Sequence, residues 1–543
     1  ANGVTIGKGS WVSPFSPILK SIGDNEIWEG APARNAGSIT TLKRTARTCE
    51  YKQPIWLLES LNVGFQIVLD FILSVIPTAL IFWIVSGFIP TGEADLGSDY
   101  FKTTPMWELA FSLSLYAFVS AWISIVWSSL MSCLFIRFTP FSPGIYPSRG
   151  LKASLLMYRM KKLNQIQGQW TWTITGQYLR ALAGVRFARV GATECDIMFN
   201  LIPELTSTGS QIFWSNGSFT NMMEYGAEHL KLRHMDMPSN FFSGNNCVAE
   251  YGHYPANILL GVSTLGNDIY FKRQMRSRLD EPLTVVGNPP VEFANTPPDS
   301  DYEKDRLPTF GLFLTRVLLN DFFSIGILRI AEMLLFTIIY IALLRYGFGI
   351  IAGALGALIL TEAALIMLCV TTKRLLIGSD WGRDHSTPFW SWKHFAYFFA
   401  QDCFFVWCKG PLGISAGTVL ANLILRMMGC RIGKRTLVME PLQCSDWNAV
   451  SFGDDCVVGG FLQFHTFENM VLKVKRTHIK NHCTVAYGAT VMGGAVIGSD
   501  STMSPLSLVL KEMHLQPAVY EGSPAEPVAI TGQLITPASC PGC

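Results

Sequence analysis

Ile479, Val485, Val491, Ile497, Met503 and Val509 recur every six residues near the C-terminal end of the chain. Small, polar and Gly-rich residues fill the intervals: Lys-Asn-His-Cys-Thr, Ala-Tyr-Gly-Ala-Thr, Met-Gly-Gly-Ala-Val and Gly-Ser-Asp-Ser-Thr. A period of six suits neither an α-helix, at 3.6, nor a lone strand, at 2. It suits a solenoid in which each hexad forms one flat face of a triangular coil, with the aliphatic residue inside and small residues at the corners. That pattern predicts a parallel β-helix, whose stacked coils bury a continuous core.

The pattern is not confined to one place. Ile6, Val12 and Ile18 keep the same spacing, and residues 1–40 close on Trp28-Glu29-Gly30-Ala31-Pro32-Ala33-Arg34. Similar endings follow at Val286-Gly287-Asn288-Pro289-Pro290-Val291 and at Tyr520-Glu521-Gly522-Ser523-Pro524-Ala525. Before the later two endings, Leu179 to Phe187 parallels Leu425 to Ile432. Three copies of one β-helical unit are therefore expected: the last coils of a first in 1–40, a second within 140–300 behind a helical lead-in, and a third over 429–530, with 531–543 as a tail. A solenoid without its early coils exposes a raw edge. The expectation is that the chain belongs to a longer protein or that another chain completes the first β-helix.

Between the copies the sequence turns apolar. Hydrophobic residues make up 49% of the chain and charged ones only 15%, and the mean hydropathy is +0.29. Two uncharged runs, 71–92 and 109–136, predict a pair of membrane-spanning helices within 55–138. A second pair is expected within 310–374, over 322–344 and 346–372, although Arg329, Glu332 and Glu362 interrupt it. Arg329 and Glu332 share a helix face and are expected to pair. Lys43, Arg44, Arg47 and Lys52 precede the first span, Arg137, Arg149 and Lys152 follow the second, and the connector is acidic. This bias puts the soluble parts on the cytoplasmic, positive side of a bilayer. The aromatic stretch from Trp390 to Trp407, within lead-in helices over 388–428, reads as an interfacial helix or as one packed on the spans.

A net charge of +2 with no basic block argues against nucleic acid as a partner. The 13 cysteines form no regular framework and read mostly as buried free thiols of a reducing compartment. His465, His478 and His482 lack the spacing of a three-histidine zinc site, so no metal is expected. No basic-then-apolar leader opens the chain.

Leu425 to Gly433, Phe452-Gly453-Asp454-Asp455-Cys456, Gln463-Phe464-His465-Thr466-Phe467-Glu468, Ser507 to Lys511 and Gly522 to Ala525 carry a resemblance. Together they are similar to the membrane-embedded terminal region of nonribosomal peptide synthetases of the ε-poly-lysine synthetase kind. The resemblance implies pairs of transmembrane helices alternating with three tandem domains related to left-handed β-helix acyltransferases, with a carrier domain upstream. It implies a mixed β-solenoid and α-helical membrane protein, and a pseudo-trimer with sites in the clefts between neighbouring prisms. Where that family favours Asp-Arg after Phe-Glu, this chain has Asn469-Met470, while Lys473 is kept.

A β-helix of that class transfers an acyl group from a thioester to an amine or hydroxyl, which needs a general base at near-neutral pH. His465 is the candidate base, and Glu468 the candidate to orient its ring or bind a cationic amine. Glu440 and Asp446 are candidates for recognising a lysine-like amine, with Gln463 and Lys473 as further substrate-binding residues. No cofactor is expected on the chain itself; the donor would be a phosphopantetheine-linked thioester on a carrier protein or upstream carrier domain. The second β-helix shows no His-x-Phe-Glu counterpart; Asn200 to Leu205 and Gly209 to Phe213 occupy the corresponding region, so it reads as structural or as a wall of the third unit's site. Two functions follow: a membrane-bound acyl- or aminoacyltransferase forming amide bonds, or a non-catalytic membrane scaffold, which the Asn469-Met470 departure favours.

Overall fold

The computed structural model describes residues 3–12, 16–18, 20–30, 33–38, 55–76, 78–80, 83, 105–170, 173–188, 194–195, 198–210, 212–215, 217–225, 229–266, 283–288, 290–293, 309–378, 385–468 and 471–528. The six-residue series lies inside a parallel β-helix, prism 3. Ile479, Val485, Val491, Ile497, Met503 and Val509 are all buried. His478 lies beside Val496 and Val496 beside His514 in parallel register, so successive coils stack in step. Three sheets form the faces, one headed by Arg431–Ile432, one by Leu437–Val438 and one by Phe461–Gln463. Corners need left-handed backbone: Asp455, His482 and Asp500 have φ of 57, 56 and 60°. Asp455 also pairs with Arg435 at 2.5 Å, and Asp454 accepts the Lys434 amide at 2.6 Å, so both acids serve a corner.

Prism 2 repeats the plan, with one six-stranded and two four-stranded faces between Arg186 and Phe293. Among the described residues, prism 1 shows two parallel coil contacts, Ile6 beside Ile22 and Trp11–Val12 beside Ile27–Trp28, the second within a short sheet. The recurring Gly-Pro tail proves to be a chain reversal. Arg34–Ser38, Val291–Phe293 and Glu526–Pro527 each run antiparallel to the last parallel strand of their prism. Gly30, Gly287 and Gly522 turn the chain there, at φ of 95, 96 and 103°, values that favour glycine. The reversal covers the final edge of the solenoid.

Helices link the prisms: α1 (Ile55–Asp70), α2 (Met106–Phe138), α3 (Leu151–Gln169), α4 (Ile174–Ala183), α5 (Leu328–Arg345), α6 (Ile350–Leu376), α7 (Trp392–Trp407) and α8 (Val419–Met428). Three segments among the described residues are long and apolar enough to cross a membrane: Val63–Leu80, Ser114–Phe138 and Ile350–Leu376. The first begins before the expected 71–92, whose later residues lie largely outside the described ones. The expected span at 322–344 is different in kind. It joins a π-helical stretch, Val317–Ile327, to α5, which carries Arg329, Glu332 and Arg345 and packs between α2 and α6. Arg329 and Glu332 do pair, at 2.8 Å. The aromatic helix α7 is not a surface element: His394, Phe395, Tyr397, Phe398, Gln401, Phe404 and Trp407 are buried between α6 and prism 3.

One insertion recurs in both long prisms. In prism 2, β1 (Gly144–Pro147), β2 (Met223–Tyr225) and β3 (His229–Leu232) form an antiparallel sheet of order β2-β3-β1. In prism 3, β4 (His385–Pro388), β5 (His465–Glu468) and β6 (Val471–Val474) form its counterpart, of order β5-β6-β4. A hairpin thus leaves the solenoid and pairs with the strand that precedes the lead-in helix. The prisms touch at Phe213 on Phe467, with ring centroids 5.1 Å apart, and where Val262 and Val286 meet Met492 and Leu508. Prism 1 reaches prism 2 through Asn288 Nδ2 and Ser16 Oγ, at 3.5 Å.

Candidate active site

The hairpin fixes His465 at the first position of β5, opposite Val474. Its Nδ1 lies 2.7 Å from Asp446 Oδ2. Asp446 stands just before the short turn Trp447–Ala449, and its side chain is 2% exposed against 24% for His465. A buried carboxylate needs donors for both oxygens. The Tyr397 hydroxyl, from α7, donates to Oδ1. Gln401 Nε2, one helical turn further on, donates to the Tyr397 oxygen at 2.7 Å and to Ser445 Oγ at 3.3 Å. The donors therefore converge on the carboxylate: the amide donates to the phenol, the phenol to Oδ1, and the imidazole Nδ1–H to Oδ2. Bound to Asp446 through Nδ1–H, the ring turns Nε2 outward as its basic atom.

Burial works against a charged imidazole, but the charge of Asp446 and its hydrogen bond outweigh it and lift the pKa of His465 above the usual value. Burial, followed by the Asp446 charge, pushes the Tyr397 phenol well up, so it stays a donor. His394, on the same helix, is fully buried, and among the described residues neither ring nitrogen has a close hydrogen-bond partner. Phe389 and Phe398 lie 4.6 Å from its ring and Phe467 at 5.7 Å. Burial first, and then the nearby Arg316 charge, hold it well below the usual histidine range.

The other candidates are dispersed. Asp446 is not free to bind an amine, because both of its oxygens are engaged within the protein. Glu440 precedes the turn Pro441–Gln443 and makes no cap bond. Gln463 is buried beside Met492, and its Oε1 finds no partner among the described residues. Lys473 pairs with Thr466 across the hairpin, and strand alternation puts it on the face opposite His465. The Glu468 side chain and Asn469-Met470 lie outside the described residues, and the carboxylate that orients the ring is Asp446. Sequence reasoning missed Tyr397 and Gln401; the signal was two polar residues four apart on the apolar face of an aromatic helix.

No protein-family profile and no curated protein matches the chain. Solved structures do. A hexapeptide-repeat acetyltransferase from Vibrio cholerae is 15% identical, over 22% of this chain and 87% of that one, with a TM-score of 0.19. Serine acetyltransferase from Neisseria gonorrhoeae, in complex with serine, is 15% identical over 40% of this chain and 95% of that one, with a TM-score of 0.16. Serine acetyltransferase isoform 3 from Entamoeba histolytica, in complex with cysteine, is 15% identical over 44% and 90%, with a TM-score of 0.12. These overlaps are partial, and the chemistry of the site follows from its own geometry.

Prism 2 supplies an internal comparison. Met223 pairs with Leu232 as His465 pairs with Val474. The Arg233 amide meets the Met222 carbonyl at 3.0 Å, as the Lys475 amide meets that of Phe464 at 2.9 Å. Met223 therefore occupies the place of His465, which makes the true counterpart of the His-x-Phe-Glu stretch 223–225 and not 200–213. Phe213, from the latter region, instead packs on Phe467 of prism 3. A cavity of about 450 Å³ opens elsewhere, on α3, lined by Met157, Met160, Lys161, Asn164, Gln165 and Asn200. Its lining contains no acid–base pair and does not include His465.

Proposed function

We propose that the chain is a membrane-associated acyltransferase with His465 as its general base. The observation that carries this reading is the 2.7 Å contact between a partly exposed imidazole and a buried carboxylate. Such a pair fixes the tautomer and steadies the imidazolium formed during proton transfer. Neutral Nε2 takes the proton as an acceptor amine attacks a thioester carbonyl. The C–N bond forms, the tetrahedral intermediate collapses, the C–S bond breaks, and the proton passes from the ring to the leaving thiolate. The products are an amide and a free thiol. A carrier-borne phosphopantetheine thioester suits a donor that must reach a site beside membrane helices. The wider assignment is a left-handed β-helical pseudo-trimer related to the terminal region of nonribosomal peptide synthetases, multi-pass and with its prisms on the cytoplasmic side; the Gly-Pro reversals and the two matching hairpin sheets support its repeated prisms, and the three apolar segments its membrane association.

The test uses native membranes containing the full chain, an acyl-pantetheine thioester and a diamine acceptor, with thiol release and amide product both measured. His465→Ala is expected to lower amide formation at least about 100-fold. Amide formation at the wild-type rate in that variant sinks the catalytic reading and leaves the scaffold, which the Asn469-Met470 departure favours.

A further inference from the structure

From the geometry we infer that Tyr397 is a positioning residue for the base, holding Asp446 where it can orient His465, and that Gln401 in turn commits the Tyr397 proton to Asp446. This rests on the proposed acyl-transfer reading and extends the site onto a helix outside the β-helix. The turn bearing Asp446 hangs from two helices. Tyr397 and Gln401 of α7 hold Asp446 and Ser445, and Lys373, in the last turn of α6, donates to Asn448 Oδ1 at 2.9 Å. Asp446 cannot swing away from His465 without giving up the phenol, and the phenol cannot turn away without giving up the Gln401 amide.

Prism 2 shows that the fold does not require this set. Both outer strands end in proline, at Pro147 and Pro388, and the helix begins at Leu151 or Trp392. Leu156 and Met160 then stand where Tyr397 and Gln401 do. The turns Pro203–Leu205 and Trp447–Ala449 both lead directly into a strand, which puts Leu201 and Ile202 in the places of Ser445 and Asp446. Leu156, Met160, Leu201, Ile202 and Met223 are all buried in the core of prism 2. The polar residues are therefore present together in one copy and replaced together by apolar ones in the other. Parts of one device vary in that way; independent packing contacts have no reason to.

Tyr397→Phe keeps the ring and removes the hydroxyl. Expected in native membranes is a fall in kcat of about ten- to a hundred-fold with KM within two-fold, and an acid limb of the rate profile displaced to lower pH, as in Asp446→Asn. Gln401→Met, which copies the prism 2 residue, is expected to do the same to a smaller extent and stands in if the first variant does not accumulate. A kcat and acid limb at wild-type values in both folded variants overturn the inference. So does an acid limb that moves to higher pH, which would make the phenol a sink for the Asp446 charge and not its anchor. If His465→Ala is inactive while Tyr397→Phe is unimpaired, only this inference fails. If His465→Ala retains activity, the acyl-transfer reading fails first.

Discussion

Position 465 needs a neutral imidazole to act as a base, and its pKa is raised. Activity limited by that group should therefore rise with pH through a value above the ordinary 6.5. Burial, the largest influence, opposes protonation, and Asp446 overrides it. In Asp446→Asn only burial remains, so the acid limb of kcat/KM should move below 6.5 while the rate falls; an unmoved limb would show that Asp446 does not govern the base. His465 was legible as a polar residue placed between two phenylalanines beside a solenoid. Asp446 was visible but assigned to an amine, because sequence alone does not show that a carboxylate is buried. Tyr397 was not legible. Its tie to Asp446 crosses from helix to β-helix, and no spacing rule reaches across such a gap.

Each coil of prism 3 is set by its inward aliphatic residue and its corners, which is why this element was readable from one column of residues. At Gly453 an added Cβ would stand 2.3 Å from Asn481 Oδ1 and 2.7 Å from its backbone nitrogen. Gly453→Val should cost about 1–3 kcal/mol in thermal unfolding, whereas the same change at Gly378, with open space around it, carries only its left-handed strain. Helix α7 behaves differently. His394 has an ordinary value of 6.5 when unfolded and a much lower one when buried beside Phe389, Phe398 and Arg316. Below pH 6.5 the unfolded chain gains a proton that the native chain refuses, so this group removes about 1.4 kcal/mol of stability per pH unit as pH falls. His394→Phe should therefore raise the unfolding temperature more at pH 5.5 than at pH 7.5; an equal rise at both would assign the effect to packing. The hairpin β5-β6 falls outside the six-residue series. It is a strand pair because β4, far upstream, supplies its edge, and that pairing leaves no periodic mark.

Across the molecule, apolar surface gathers on the helical side. Among its described residues the window Val63–Leu80 has none buried, and α8 exposes Val419, Leu420 and Leu423 beside Ile414, which is 91% exposed. Patches of that size need lipid or protein against them. The chain should stay in the pellet after alkaline carbonate washing and leave it with detergent, and recovery in the wash would contradict a span. Phe213→Ala, at the contact between prisms 2 and 3, should lower stability by about 3–5 kcal/mol, read as separate melting of the two prisms. The three-copy organisation was legible because glycine and proline mark every reversal; the number of spans was not, because α5 joins apolar length to paired charges. The order of strands also sets an order in time. Coils of prism 3 pair with near neighbours in sequence, but β4 must wait for β6, which follows only after α7, α8 and the first coils. Loop closure over that distance is slow compared with local pairing. The sheet holding His465 is thus completed only after the first coils exist, and a chain still emerging during synthesis carries its helices and early coils before it carries a base.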